Sequence, residues 1–196
     1  MNKTTNNLFA AAIIIGGLVL LAACAGPPRE EMQKAGEAVN AAENDKDAVT
    51  YAGNTLVSAR EALDRMREEA ALKHYDRAKT SAAEAVKAAD RAIAEGQAGA
   101  LRARETASPQ LNSLVPAISE AETIIAEAQE VPDTNLDTAA LKQELDAVQQ
   151  IAQEAQDSFN NNKYEEALDK VQTAATEIGN ITGKVSGAVQ AASRKK

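Results

Sequence analysis

Few side chains in this chain have the types and spacing that chemistry requires. Cys24 is the only thiol, at the end of Leu21-Ala22-Ala23-Cys24, and His74 is the only imidazole. A nucleophilic thiol needs an activating base, and a structural metal site needs several convergent ligands. His74 falls in an expected exposed turn and supplies neither. The carboxylate neighbours Glu30-Glu31, Glu68-Glu69 and Glu165-Glu166 are adjacent in sequence. Adjacent residues point to different faces of a helix, so each pair reads as a solvated helix surface and not as a divalent-cation site. The glycines are scattered in helical context, and no Gly-rich phosphate loop is formed. The sequence therefore predicts no catalytic residue, no metal and no cofactor, and its most specific chemistry rests on Cys24.

Cys24 closes a three-part amino terminus. A polar start with Lys3 precedes an apolar stretch from Leu8 to Leu21, and small residues follow. That is the layout of a secretory signal. The apolar stretch is about 14 residues long, short of the roughly 20 that a helix needs to cross the hydrocarbon core. Leu21-Ala22-Ala23-Cys24 resembles the lipobox of bacterial lipoproteins: an aliphatic residue, two small ones, then cysteine. The resemblance implies cleavage after Ala23, diacylation of the Cys24 sulfur, palmitate being a typical chain, and acylation of the new amino group. Two or three acyl chains anchor a protein where one holds it only marginally. Ala25 stands where that family's inner-membrane retention signal places Asp. The expectation is a protein on the inner leaflet of the outer membrane, facing the periplasm. An ordinary signal peptide cut after Ala23 or Ala25, or an uncleaved anchor, is the alternative reading.

Loss of residues 1–23 removes Lys3 and moves the net charge from -8 to -9. So acidic a chain repels nucleic acid and anionic lipid surfaces, and no nucleic-acid partner is expected. Beyond the signal the aromatics are Tyr51, Tyr75, Phe159 and Tyr164, with no tryptophan in the chain, too few to build a stacking platform for bases or sugars. Alanine makes up roughly a fifth of the residues, and it is the strongest helix former. The expected fold class is all-α.

Helical periodicity begins after Pro27-Pro28, and turn residues punctuate it. Glu43-Asn44-Asp45-Lys46-Asp47 should close a first helix. A second is expected from Ala48 to Ala71, with Tyr51, Leu56, Ala59, Leu63, Met66 and Ala70 on one stripe. Lys73-His74 is the next turn. A third helix from Tyr75 carries Ala78, Ala82, Ala85, Val86, Ala89 and Ile93, and should fray near Gly96 and Gly99. Ser108-Pro109 reads as a stop followed by a restart, since Ser caps orphan donors and Pro suits a first turn.

A shift of 89 residues lays the pattern on itself. Leu56 falls on Leu145, Tyr75 on Tyr164, Ala78 on Ala167, Ala85 on Ala174 and Ala103 on Ala192. The turn at Lys73-His74 falls on Asn162-Lys163, and Asn44-Asp45 on Asp133-Thr134. The expected organisation is a signal peptide (1–23), the lipidated cysteine and a short linker (24–28), helical unit 1 (29–107), a linker (108–117) and helical unit 2 (118–196). Each unit is a three-helix antiparallel bundle, the two in tandem. Alanine-lined helices approach closely but bury little apolar area, so each core should be thin.

Tyr75-Asp76-Arg77-Ala78 with Ala82, Ala85 and Ala89, and Tyr164-Glu165-Glu166-Ala167 with Val171 and Ala174, resemble the start of a helix in tetratricopeptide-type hairpins. They resemble more closely an alanine-rich helical domain of unknown function found in bacterial lipoproteins, with Glu30–Gly96 the better match. That resemblance implies a periplasmic helical scaffold and transfers no catalytic residue. Tyr75 and Tyr164 are most simply packing residues at a helix head, with partner binding as the functional alternative. Ser193-Arg194-Lys195-Lys196 is a basic end that offsets a helix dipole. It also resembles the terminus of the small murein lipoproteins, which implies Lys196 as a point of attachment to peptidoglycan.

The reading that follows is a non-enzymatic, lipid-anchored periplasmic scaffold or adaptor. Its partners are membrane lipid through acylated Cys24 and an envelope protein. A structural tether to peptidoglycan through Lys196 is the second reading, and a small-ligand carrier the third.

Overall fold

The computed structural model describes residues 26–132 and 134–194. Ala23, Cys24 and Lys196, with the cleavage, lipidation and attachment expected of them, lie outside the described residues. Those residues are all-α, in six helices. In chain order these are α1 Arg29–Asn44, α2 Lys46–Tyr51, α3 Gly53–Ala71, α4 Tyr75–Gln129, α5 Thr138–Asn160 and α6 Tyr164–Ser193. The chain divides into two compact units between Gln97 and Ala98, within α4. No helix among the described residues is long and apolar enough to cross a membrane.

Unit 1 is built on alanine. Ala35, Val39 and Ala42 of α1, Leu56, Ala59, Ala62, Leu63 and Met66 of α3, and Ala82, Ala85, Ala89 and Ala92 of α4 form its core. Of the stripe expected on the second helix, Leu56, Ala59, Leu63 and Met66 are buried, while Tyr51 and Ala70 are half-buried. That helix is interrupted, however. Ala52, at φ -125° and ψ 30°, separates α2 from α3. The Asp45 carboxylate accepts from Ala48 N–H at 2.8 Å and so caps α2.

The fraying expected near Gly96 and Gly99 does not occur, because α4 continues through both. Gly96 is buried, and a Cβ placed on it would lie 2.4 Å from Ala48 N and 2.5 Å from the Asp47 carbonyl carbon. The glycine is needed because the backbone at the start of α2 passes directly over it.

Unit 2 carries larger side chains. Leu111, Leu114, Ala121, Ile125 and Ala128 of α4 pack with Leu141, Leu145, Val148 and Ala155 of α5 and with Val171, Ala174, Ile178, Ile181 and Val185 of α6. The stop expected at Ser108-Pro109 is also absent: Pro109 and Pro116 both lie inside α4, and residues 108–117 are helical. Each proline removes the hydrogen bond that the carbonyl four residues earlier, at Glu105 and at Asn112, would accept. Pro109, Pro116, Glu105 and Asn112 are all exposed, so water can serve those carbonyls. The opposite face is held by Leu111 and Leu114, 7 % and 3 % exposed.

The hairpin turns fall where the sequence puts them. At the end of α3, Lys73 N–H donates to Ala70 O (3.1 Å) and His74 N–H to Glu69 O (2.8 Å). At the end of α5, Asn162 N–H donates to Phe159 O (3.0 Å) and Lys163 N–H to Ser158 O (2.9 Å). Both are Schellman closures, which satisfy the carbonyls orphaned at a helix end.

Candidate functional site

Unit 1 carries a groove of about 390 Å³ between α1 and α4. It follows from the spacing of small residues on α4. Lys79, Ala82, Ala83, Val86, Lys87 and Asp90 recur at intervals of three and four, which places them along one helix face. Ala82, Ala83 and Val86 form the apolar floor; Glu31 and Lys34 of α1, with Lys79, Lys87 and Asp90 of α4, form the rim. Lys79 Nζ and Glu31 Oε1 pair across the two helices at 3.6 Å. Lys34, Lys87 and Asp90 engage no other side chain among the described residues.

Unit 2 has a polar crevice of about 260 Å³ at the α5–α6 hairpin, lined by Glu154, Asp157, Ser158, Asn161, Lys163, Glu166 and Lys170. Four of its five charges are engaged in pairs. Lys170 Nζ donates to Glu154 Oε2 at 2.8 Å, Lys163 Nζ lies 3.1 Å from Glu166 Oε2, and the Ser158 hydroxyl donates to Glu166 Oε1 at 3.0 Å. The hydrogen bond from Lys170 holds the Glu154 carboxyl below the usual carboxylate range, and that same bond raises Lys170. Hydrogen bonds from Lys163, then Ser158, lower Glu166. This network is a brace across the hairpin, with every member partnered.

At the corresponding turn of unit 1, His74 Nδ1 lies 2.7 Å from Glu69 Oε2, and Arg77 Nη1 3.8 Å from Glu69 Oε1. His74 thus contacts an acidic neighbour in an exposed turn. Among the described residues no group of three His, Cys, Asp or Glu side chains could hold a metal ion.

The two tyrosines occupy helix heads. Tyr164 is 8 % exposed, its ring meets Phe159 edge-on at 5.4 Å, and its hydroxyl donates to Asn162 Oδ1 at 2.7 Å. Tyr75 is half-buried at the first position of α4. The structure does not bring the two together in one unit, since they fall on either side of the division at Gln97 and Ala98.

Two surface features had no motif to announce them. The rim charges of the groove are ordinary helix-surface residues, and only the three-and-four spacing from Lys79 to Asp90 marks them. The second is a pair of exposed aliphatic residues flanking the break at Ala52: Val49 of α2 and Val57 of α3 are 53 % and 47 % exposed. Comparison of the chain with protein-family models, with curated proteins and with solved structures returns no match.

Proposed function

We propose that the protein is a lipid-anchored, non-enzymatic helical scaffold that recruits an envelope protein at the periplasmic face of the outer membrane. The observation that carries the recruiting role is the pair of exposed aliphatic residues Val49 and Val57, one on each side of the break at Ala52. Neither valine belongs to the core of unit 1. Aliphatic side chains left in water on both sides of a helix break suit a partner helix or strand that removes them from it. The anchor rests on the lipobox-like Leu21-Ala22-Ala23-Cys24.

The test is in-cell photo-crosslinking from position 57, with position 61 on the exposed surface of α3 as a control. A discrete adduct from position 57 that disappears in Val49→Asp supports the recruiting role; no adduct above the control from position 57 removes it. The anchor is tested separately. Cys24→Ala should move the protein out of the detergent phase in a partitioning experiment, and unchanged partitioning would sink the lipoprotein reading.

A further inference from the structure

We propose that the groove between α1 and α4 binds an aliphatic zwitterion, the amino-acid backbone with an alkyl side chain, free or in a short peptide. The rim charges of this groove divide into an engaged pair and three that are not engaged. Glu31 is taken up by Lys79 at 3.6 Å. Lys34 and Lys87 are left as two cations on opposite walls, and Asp90 as one anion a single turn beyond Lys87. Between them lies the floor of Ala82, Ala83 and Val86.

Each simpler ligand class leaves part of this surface unmatched. A plain anion satisfies the lysines but meets Asp90 with like charge, and a plain cation does the reverse. A purely apolar ligand covers the floor while partly desolvating three charges that it cannot pair. A zwitterion answers all of them: its carboxylate lies between Lys34 and Lys87, its ammonium faces Asp90, and its alkyl group rests on Ala82, Ala83 and Val86. The floor spans little more than one helical turn, which matches a single aliphatic side chain better than a long acyl tail. The volume of about 390 Å³ falls within the range of roughly 300–1,000 Å³ typical of small-molecule sites. This binding is independent of the recruiting role proposed for Val49 and Val57.

The experiment is a titration of the full chain with L-leucine, followed by the methyl resonances of Ala82, Ala83 and Val86. Saturable shifts at all three are expected. Glycine lacks the side chain, leucinamide the carboxylate and 4-methylpentanoate the amine, so each should bind more weakly than leucine. Lys34→Gln, Lys87→Gln and Asp90→Asn should each weaken leucine binding about two- to fivefold, the scale of one exposed ion pair. All three positions tolerate such changes without loss of core, and circular dichroism verifies the fold. Leucyl-leucine, tighter or weaker than leucine, assigns the source as peptide or free amino acid. The proposal is overturned by an absence of saturable shifts, by equal binding of leucinamide or 4-methylpentanoate, or by unchanged affinity in the three variants.

Discussion

Lys73 and Asn162, 89 residues apart, close their hairpins in the same left-handed backbone conformation, at φ 61° and 59°. They are the only described non-glycine residues with positive φ. Each stands one residue past a helix C-cap, where glycine is commonest because it has no Cβ to crowd the following carbonyl. A side chain there costs roughly 1–2 kcal/mol, and less for asparagine, whose short amide is tolerated. Lys73→Gly should therefore raise stability by about 1 kcal/mol, and Asn162→Gly by less. Urea denaturation of the two variants measures the difference, and a destabilised Lys73→Gly would refute the conformational argument.

Gly96 is required by its surroundings, whereas Gly179, Gly183 and Gly187 are not. Gly96→Ala sets a Cβ 2.4 Å from a backbone nitrogen, which cannot move aside as a flexible side chain could. The expected loss is about 1–3 kcal/mol, the usual cost of overpacking. Gly179, Gly183 and Gly187, four residues apart on α6, would each meet nothing within 4 Å. Alanine at any of them should add about 0.5–1 kcal/mol through helix propensity. Thermal melts should thus move in opposite directions for Gly96→Ala and Gly183→Ala.

Core substitutions test the packing of each unit. Ile181 is 0 % exposed in unit 2, and Ile181→Ala should cost about 2–5 kcal/mol by removing methylenes and leaving a cavity. In unit 1, Leu63→Asp places a carboxylate among Leu56, Ala59, Met66 and the alanines of α4. A sharply lower thermal midpoint is expected, because a charge there has no partner. A midpoint within a degree or two of the parent protein for either variant would contradict the packing.

Acid should weaken the α5–α6 hairpin. Glu154 and Glu166 are lowered in the folded protein, so their contribution is present in full above the ordinary value of 4.5. It is lost as pH falls through their folded values. Lys170 is raised, so its contribution is present below its ordinary value of 10.5 and is lost only as pH rises through the folded one. The thermal midpoint should hold near neutrality and fall below about pH 4.5. Glu154→Gln should show a shallower acid-induced fall than the parent, measured as the difference between melts at about pH 7 and pH 3. An identical fall in both proteins would count against the brace.

The features legible in the sequence were those set by local chemistry. The turn at Lys73-His74 and the stripes through Leu56, Ala59, Leu63 and Met66, and through Ala78, Ala82, Ala85 and Ala89, follow from spacing and turn residues alone. What the sequence misstated depends on contacts distant in the chain. Pro109 signals a stop, yet its exposed side and the buried Leu111 and Leu114 keep α4 intact. Gly96 signals fraying only to a reader who cannot know that Ala48 lies against it. The break at Ala52 has no turn residue of its own beyond the neighbouring Gly53. Of the groove floor, Ala82 and Val86 lay on the expected stripe and Ala83 did not, and which rim charges stand engaged was not visible, since the Glu31–Lys79 pair joins two helices.

The two Schellman turns also bear on how quickly the chain folds. Each brings together helices that are neighbours in sequence, α3 with the start of α4 and α5 with α6, so the loop to be closed is only a few residues long. Short closures carry little entropic cost, and chains dominated by such contacts fold on the microsecond-to-millisecond scale. A chain that emerges extended can therefore form each hairpin from its own nearest segments, leaving little time for exposed alanine faces to meet the wrong partner.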